Sequence, residues 1–240
     1  MSAIGSTEDK LNIAQAEEAI ANAAAATALA DLRAAQARKE LALAEQAEHD
    51  AAIVRITRDN EERSERENNA RDSRNHVYQF AGAVSGTTVK PCIATLTAWS
   101  RLDPGCDITI IFNSPGGSVI DGFALWDFLA TLKRQGHHLT TVCRGMAASM
   151  AGVLLQAGTV RVIGSESVLL VHEISFGAGG KIGEVEDEVA FAKMLTQRVL
   201  KIFAAKTKLT AKQIDSRWKR KDWWMDSDEA LKLGFADEIA

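Results

Sequence analysis

The chain has 240 residues, with 28 lysines and arginines against 32 aspartates and glutamates, and therefore a formal net charge of −4. This balance excludes a nucleic-acid-binding protein that works by neutralising phosphates, because that class carries a strongly basic surface. No apolar run approaches the roughly 20 residues that cross a bilayer, and the first residues lack the basic and apolar regions of a secretory signal. We therefore expect a cytoplasmic protein that is not inserted in a membrane.

The three cysteines, Cys92, Cys106 and Cys143, are odd in number and lack the close Cys/His spacing of a metal site. We interpret them as reduced, partly buried thiols, and we predict no metal site.

The first third of the chain differs in composition from the rest. Residues 6–81 contain no glycine, no proline occurs before Pro91, and no aromatic residue occurs before Tyr78. Strong helix formers such as alanine, glutamate, arginine and leucine dominate the segment. They predict a long helix from about Thr7 into the sixties, with Ser6 or Thr7 as its N-cap.

The large apolar residues of this segment do not keep a clean heptad. An alanine-rich helical hairpin or bundle therefore fits better than a leucine zipper. The arm would serve either as an assembly or docking device or as a solvated extension. Residues 57–75 are almost entirely polar and predict a solvated helix end or a flexible linker. We place a domain boundary there, with residues 1–76 as arm and linker and residues 77–240 as a second domain.

From Val77 onward the pattern changes to α/β. Helical segments alternate with apolar strands, which predicts a mainly parallel sheet covered by helices. The predicted strands are 77–84, 106–113, 139–144, 159–164 and 167–174, and the predicted helices near the C-terminus are about 183–206 and 210–218.

Two turns of this domain could carry chemistry. Asn113-Ser114-Pro115-Gly116-Gly117 follows a strand, and paired glycines let backbone amides converge on an anion, although a tight turn needs the same residues. Gly145-Met146-Ala147-Ala148-Ser149 precedes a small-residue helix, where a serine is either exposed on a sharp bend or merely caps the helix.

The remaining candidates are an imidazole and a carboxylate. His172 ends an apolar strand, and it would be a general base only with a serine within about 3 Å. Asp222, before Trp223 and Trp224, could orient that imidazole while the tryptophans anchor it against the sheet. Glu173, Asp226 and Asp228 are competitors that spacing alone does not rank.

The motifs NSPGG, GMAASMAG, LLVHE, GKIGEVEDEV and KDWWMDSDEALKLGFADEI, in this order from about Tyr78 to the C-terminus, resemble the Clp peptidase family of serine proteases. The resemblance implies Ser149 as nucleophile, His172 as general base and Asp222 as the orienting acid. It implies that the amides of Gly117 and Met150 form the oxyanion hole. Hydrolysis of peptide bonds in polypeptide substrates then requires neither metal nor cofactor.

The same resemblance implies a crotonase-like α/β core that assembles into heptameric rings or double rings. Residues 190–206 would be the handle helix between rings, and Gly177, Gly179 and Gly180 the mobile turn before it. The sequence departs from the family in its long N-terminal arm, and in Thr109 and Ile111 where aromatic residues usually face an AAA+ unfoldase. Docking of such an unfoldase stays open. The extended chain is similar to phage head-maturation proteases, whose arm could bind a capsid or scaffold protein.

Three other functions remain as alternatives. A signal-peptide-peptidase-like protease would use a Ser/Lys dyad, with Lys181 as its candidate base. A non-catalytic ring module would act through its N-terminal helix. An acyl-CoA enzyme of the crotonase group shares the core, but a histidine at a strand end does not by itself indicate CoA chemistry.

Overall fold

The computed structural model describes residues 7–240, and their internal contacts divide the chain into two units, one ending at Glu67 and one spanning Asn68–Ala240. The division falls inside the polar stretch expected to hold the boundary. The proposed boundary between residues 76 and 77 stays a prediction. No described helix is long and apolar enough to cross a membrane.

The described part of the first unit is a single helix, α1, which spans Thr7–Asn69 over 63 residues, so that its last two residues belong to the second unit. No glycine or proline interrupts it, and Glu8 and Asp9 in its first turn complement the helix dipole. The expectation of a hairpin is therefore wrong for the chain itself. The large apolar side chains of α1 are solvent-exposed, from 48% at Leu29 to 69% at Ile20.

The polar end of α1 is helical, and some of its charges pair along one face. Glu62 lies 3.6 Å from Arg58 and 3.1 Å from Arg66, both at i,i+4 spacing. Of the two readings offered for residues 57–75, a solvated helix end therefore describes the stretch up to Asn69.

The second unit is built on a seven-stranded sheet. Its strands are β1 (Val77–Ala81), β2 (Ile108–Ser114), β3 (Leu139–Ala148), β4 (Val160–Ile163), β5 (Val168–Val171), β6 (Trp223–Met225) and β7 (Glu238–Ile239). The main path runs β1-β2-β3-β4-β7, while β5 pairs with the end of β3 and β6 pairs with β5. Only the β5–β6 pair is antiparallel in the described sheet, so the predicted mainly parallel α/β fold is confirmed.

Six helices of the described residues 68–240 accompany the sheet. They are α2 (Gly86–Leu102), α3 (Val119–Arg134), α4 (Met150–Leu155), α5 (Ile182–Lys206), α6 (Ala211–Trp218) and α7 (Ser227–Leu233). Their apolar faces and the strands share one buried cluster that includes Phe80, Phe112, Leu129, Phe203 and Trp218. The three cysteines are free thiols, as predicted, and burial raises the pKa of Cys92 to about 12.

Two local expectations are wrong. Residues 145–148 continue β3 rather than forming a turn, so the bend is confined to Ser149. The predicted strand 167–174 shortens to β5, which leaves His172 just beyond its last residue. The short C-terminal elements β6, α7 and β7 were not predicted from the sequence.

A buried arginine holds the end of the chain against the sheet. Arg161 of β4 donates hydrogen bonds to the carbonyls of Lys206 at 2.8 Å and Gly234 at 2.7 Å, and to Gln156 Oε1 at 2.6 Å. Its Nε also donates to Asp237 Oδ2 at 2.9 Å. One side chain therefore joins β4, the end of α5 and the segment before β7.

This cluster predicts a pH dependence of stability. Hydrogen bonds from Arg161 lower the pKa of Asp237, so the ionised carboxylate favours the folded state. That contribution is present above the unfolded pKa of about 3.9 and is lost as the pH falls through the lower folded value. We expect Asp237→Asn to flatten the acid side of the stability curve, measured by urea unfolding at a series of pH values. Asp107→Asn, at an exposed carboxylate, is the control; equal acid sensitivity of the Asp237→Asn variant and the native chain would contradict the assignment.

The exposure of α1 leads to a second prediction. A fragment of residues 68–240 keeps the hydrogen bond from the Val77 amide to the Asp72 carbonyl (2.8 Å) and the whole buried cluster. We expect its thermal unfolding midpoint to lie within about 4 °C of the full chain, a shift that corresponds to roughly 1 kcal/mol. An insoluble fragment would instead make α1 part of the folding unit.

Candidate active site

Ser149 occupies a strained bend between a strand and a helix. β3 ends at Ala148 and α4 begins at Met150, and Ser149 between them has φ 55° and ψ −122°. Such a backbone conformation costs a residue with a side chain about 1–3 kcal/mol. The hydroxyl makes no capping bond to the described helix α4, so the alternative that Ser149 serves as a helix cap finds no support. The half-buried side chain lines a pocket instead.

Strand pairing brings His172 to the same place. Ala148 of β3 is the register partner of Leu170 in β5, and the Ser149 amide donates to the Leu170 carbonyl at 2.9 Å. His172 follows two residues later, where the strand has ended. Both side chains line one pocket, at the edge where β3 and β5 reach their carboxyl ends.

The antiparallel pair β5–β6 brings in the carboxylate. Val171 pairs with Trp223. His172 follows Val171 and Asp222 precedes Trp223, so these two residues lie opposite each other just beyond the paired strands. His172 Nδ1 lies 4.0 Å from Asp222 Oδ1, with side chains 23% and 61% exposed. At this separation the two side chains face each other but do not form a hydrogen bond. Among the described residues, no hydrogen bond joins Ser149 to His172.

The competing carboxylates have other surroundings. Asp226 caps α7, accepting from the Glu229 amide at 2.8 Å. Asp228 lies in the first turn of that helix. Glu173 lines the pocket beside His172. Among these four acids, Asp222 is the one whose contact with the His172 ring the structure describes.

A small cluster supports the backbone next to Asp222. Trp223 packs against Phe235 with ring centroids 5.6 Å apart, and its Nε1 donates to Glu229 Oε1 at 3.4 Å. The Arg217 guanidinium lies 4.9 Å above the Trp223 ring. Of the two tryptophans expected to anchor the acid, Trp223 does so, whereas Trp224 is 50% exposed.

The glycine turn packs directly against Ser149. Gly116 has φ 88°, and a Cβ there would lie 2.5 Å from the Ala148 carbonyl oxygen and 2.6 Å from Ser149 Cβ. Gly117 has φ 145°. Its two neighbours bond to Val84: the Val84 amide donates to the Gly116 carbonyl, and the Ser118 amide donates to the Val84 carbonyl. Glycine is therefore required here by both conformation and contact.

The two residues expected to supply an oxyanion hole line the same pocket as Ser149. Met150 is the first residue of α4, and the first amides of a helix have no partner within it. Gly117 lies on the opposing turn.

The pocket has a volume of about 380 Å³. Side chains of α3, α4 and α5 contribute apolar walls, and the polar side chains that line it are those of Ser149, His172, Glu173 and Ser175. The lining residues are Pro115, Gly117, Val119, Ser149, Met150, Val153, Leu170, Val171, His172, Glu173, Ile174, Ser175, Val199 and Phe203. A hydroxyl and an imidazole that line one cavity suit acyl transfer to an activated serine.

Comparison with known proteins identifies the family of the chain. The family model described as Clp protease matches residues 62–240. The chain is 36% identical over 148 residues to the ATP-dependent Clp protease proteolytic subunit of Porphyromonas gingivalis, covering 61% of this chain and 65% of that protein. It is 37% identical over 139 residues to proteolytic subunit 2 of Tropheryma whipplei, covering 57% and 75%.

A third relative, proteolytic subunit 3 of Rhodococcus jostii, is 32% identical over 168 residues, which cover 69% of this chain and 81% of that protein. The chain thus spans between about two thirds and four fifths of the length of these relatives. The helix α1 lies almost entirely before the matched region. With a family model that covers most of its length and the Ser149 bend inside that region, the chain belongs to the Clp protease family of serine peptidases.

Proposed function

We propose that the protein is a serine endopeptidase in which Ser149 is the nucleophile, His172 the general base and Asp222 the acid that orients the imidazole. The observation that carries the proposal is the shared pocket of a strained Ser149 and His172, whose Nδ1 faces Asp222 at 4.0 Å. Family membership supports the same chemistry.

In the proposed reaction His172 Nε2 takes the Ser149 proton as Oγ attacks a peptide carbonyl. The amides of Gly117 and Met150 donate to the oxyanion of the tetrahedral intermediate, and each such donor is worth roughly 3 kcal/mol. The imidazolium then protonates the leaving amine. Water next attacks the acyl-enzyme with His172 again as the base, and the Ser149 oxygen leaves with a proton from the imidazolium. Asp222 stabilises the imidazolium and selects the tautomer with a proton on Nδ1.

Catalysis requires the His172–Asp222 contact to shorten from 4.0 Å to hydrogen-bond distance. A small rotation of the exposed Asp222 side chain would achieve this. Long catalytic hydrogen bonds in a protein without substrate commonly tighten when substrate binds. The segment between β5 and α5, which carries Gly177, Gly179 and Gly180, is exposed and has no regular structure. Its residue Ser175 lines the pocket.

The proposed substrates are polypeptides, and the proposed working form is a homo-oligomeric ring or double ring in the cytoplasm. α5 supports assembly because its exposed first half carries the apolar side chains of Ile182, Phe191 and Met194. The relatives are named as proteolytic subunits of an ATP-dependent protease. For this chain an AAA+ unfoldase is a candidate partner, and a capsid or scaffold protein bound by α1, as in a head-maturation protease, is the alternative.

A non-catalytic ring module is the second candidate function. The 4.0 Å separation of His172 and Asp222 favours it, together with the lack of a Ser149–His172 hydrogen bond among the described residues. A Ser/Lys dyad has less support, because Lys181 is exposed at the start of α5 and is not among the residues that line the pocket.

Replacement of Ser149 tests the primary proposal. We expect Ser149→Ala to abolish fluorophosphonate labelling and to lower cleavage of short peptides and unfolded protein by at least about a thousandfold, because the acyl-enzyme cannot form. Ser175→Ala, at another serine that lines the pocket, is the matched control and should keep both activities.

Persistent labelling of the Ser149→Ala variant would eliminate Ser149 as the nucleophile. A native chain that forms a stable ring by native mass spectrometry, yet neither reacts with the probe nor cleaves any substrate, would favour the non-catalytic module. Normal activity of His172→Ala beside an inactive Lys181→Ala variant would favour the dyad.

The glycine turn generates a separate prediction. A methyl group at Gly116 meets the Ala148 carbonyl, Ser149 Cβ and the Met150 amide, and the positive φ adds strain of about 1–3 kcal/mol. We expect Gly116→Ala to lower the thermal unfolding midpoint and to suppress labelling of Ser149. Gly177→Ala is the control, since nothing lies within 4 Å of its Cβ position. Undiminished labelling of Gly116→Ala would show that this turn does not help to form the reactive site.

A further inference from the structure

Three side chains with metal-ligating atoms meet at the edge of the sheet away from Ser149. His76 immediately precedes β1, Asp103 follows α2, and Cys106 lies in the turn before β2. One nitrogen, one sulfur and one oxygen of these residues all lie within 4.8 Å of one another. We propose that His76, Asp103 and Cys106 form a binding site for Zn²⁺ or a similar divalent transition metal.

The backbone holds these three residues in place. The His76 carbonyl accepts from the Thr109 amide at 3.0 Å, which ties it to β2, and the Cys106 amide donates to the Asp103 carbonyl at 3.2 Å. His76 adopts φ 52°, an uncommon conformation for a residue with a side chain. Its ring contacts Trp99 edge to face, with centroids 5.5 Å apart. The imidazole therefore has a defined direction before any ion binds.

A second histidine supports the cysteine. His137 is buried, with 4% exposure, and its Nδ1 lies 2.9 Å from the Cys106 carbonyl oxygen and 3.6 Å from Cys106 Sγ. Its Nε2 lies 2.7 Å from the Ser100 hydroxyl. The hydrogen-bonded imidazole of His137 thus holds the Cys106 turn in place. Contacts of this kind, made by residues that do not bind the ion themselves, orient metal ligands.

The chemistry of the three donors selects the class of ion. Imidazole and thiolate are ligands that Zn²⁺ prefers, whereas Mg²⁺ and Ca²⁺ require mostly oxygen donors. A thiolate and a carboxylate would also balance the charge of a divalent cation. Ligand atoms around tetrahedral Zn²⁺ lie about 3.3–3.8 Å apart, given metal–ligand bonds of about 2.0–2.3 Å. The upper limit of 4.8 Å on the observed separations exceeds this spacing by about 1 Å, so the ligand atoms approach one another when the ion binds.

Three protein ligands leave a fourth position for water. His76 and Cys106 are half-buried and Asp103 is exposed, so an ion can reach the site from solvent. The ion would join the residue that leads into β1 to the turn that leads into β2. Because parallel strands place Ser149 at the opposite edge of the sheet, an ion bound here lies apart from the pocket of Ser149.

The test is metal binding by the full chain after removal of metals with a chelator. We expect one Zn²⁺ per chain by calorimetry, and Co²⁺ in its place to give the near-ultraviolet absorption of a thiolate-to-cobalt charge transfer. Cys106→Ser and Asp103→Asn should each lower the Zn²⁺ affinity by at least about 100-fold, since even outer-shell changes lower it 10- to 100-fold. Circular dichroism verifies that each variant is folded.

Matched controls separate this site from others. His138→Ala and Asp107→Asn remove an exposed imidazole and an exposed carboxylate close by in the sequence and should bind Zn²⁺ like the native chain. His172→Ala should also bind normally, which distinguishes this site from the pocket of Ser149. Equal affinity of the native chain and Cys106→Ser, or a Co²⁺ complex without the charge-transfer band, would overturn the proposal.

Discussion

The position of β5 between two partners is the constraint on which the candidate site depends. On one side it pairs in parallel with the end of β3, and the Leu170 carbonyl accepts from the Ser149 amide. On the other side it pairs antiparallel with β6, which aligns His172 with Asp222. These main-chain hydrogen bonds set the spacing of three side chains that are far apart in sequence. A register shift of one residue would turn His172 to the other face of the sheet.

The glycine turn and the C-terminal cluster complete this arrangement from opposite sides. Gly116 approaches Ser149 so closely that any side chain would displace the bend. Trp223, which contacts Arg217 and Glu229, anchors the strand that begins directly after Asp222. Each support acts on a backbone segment rather than on the side chains of Ser149, His172 and Asp222. In this arrangement His172 Nδ1 and Asp222 Oδ1 lie 4.0 Å apart.

Much of the fold could be predicted from local patterns. The helix-forming composition of the arm, the β-branched strands β2 and β5 and the glycine turn each carry their signal within a few residues, and family motifs supplied the proposed roles of Ser149 and His172. The positions of Asp226 and Asp228 at the start of α7, and of Asp222 opposite His172, could not be predicted, because they depend on where α7 begins and on the β5–β6 register. The three-residue strand β6 is too short for a periodicity signal. The group of His76, Asp103 and Cys106 was missed because its first member lies far from the other two in sequence.

The backbone of Ser149 has an energetic meaning of its own. Its left-handed φ is a conformation that glycine adopts without penalty, so a serine at this bend makes every copy of the chain slightly less stable than it could be. The Ser149 side chain makes no capping hydrogen bond to α4 that would offset this cost. The bend therefore costs folding free energy while it places the half-buried Ser149 hydroxyl in the pocket. A Ser149→Gly substitution would relieve the strain and remove the hydroxyl that the proposed hydrolysis requires.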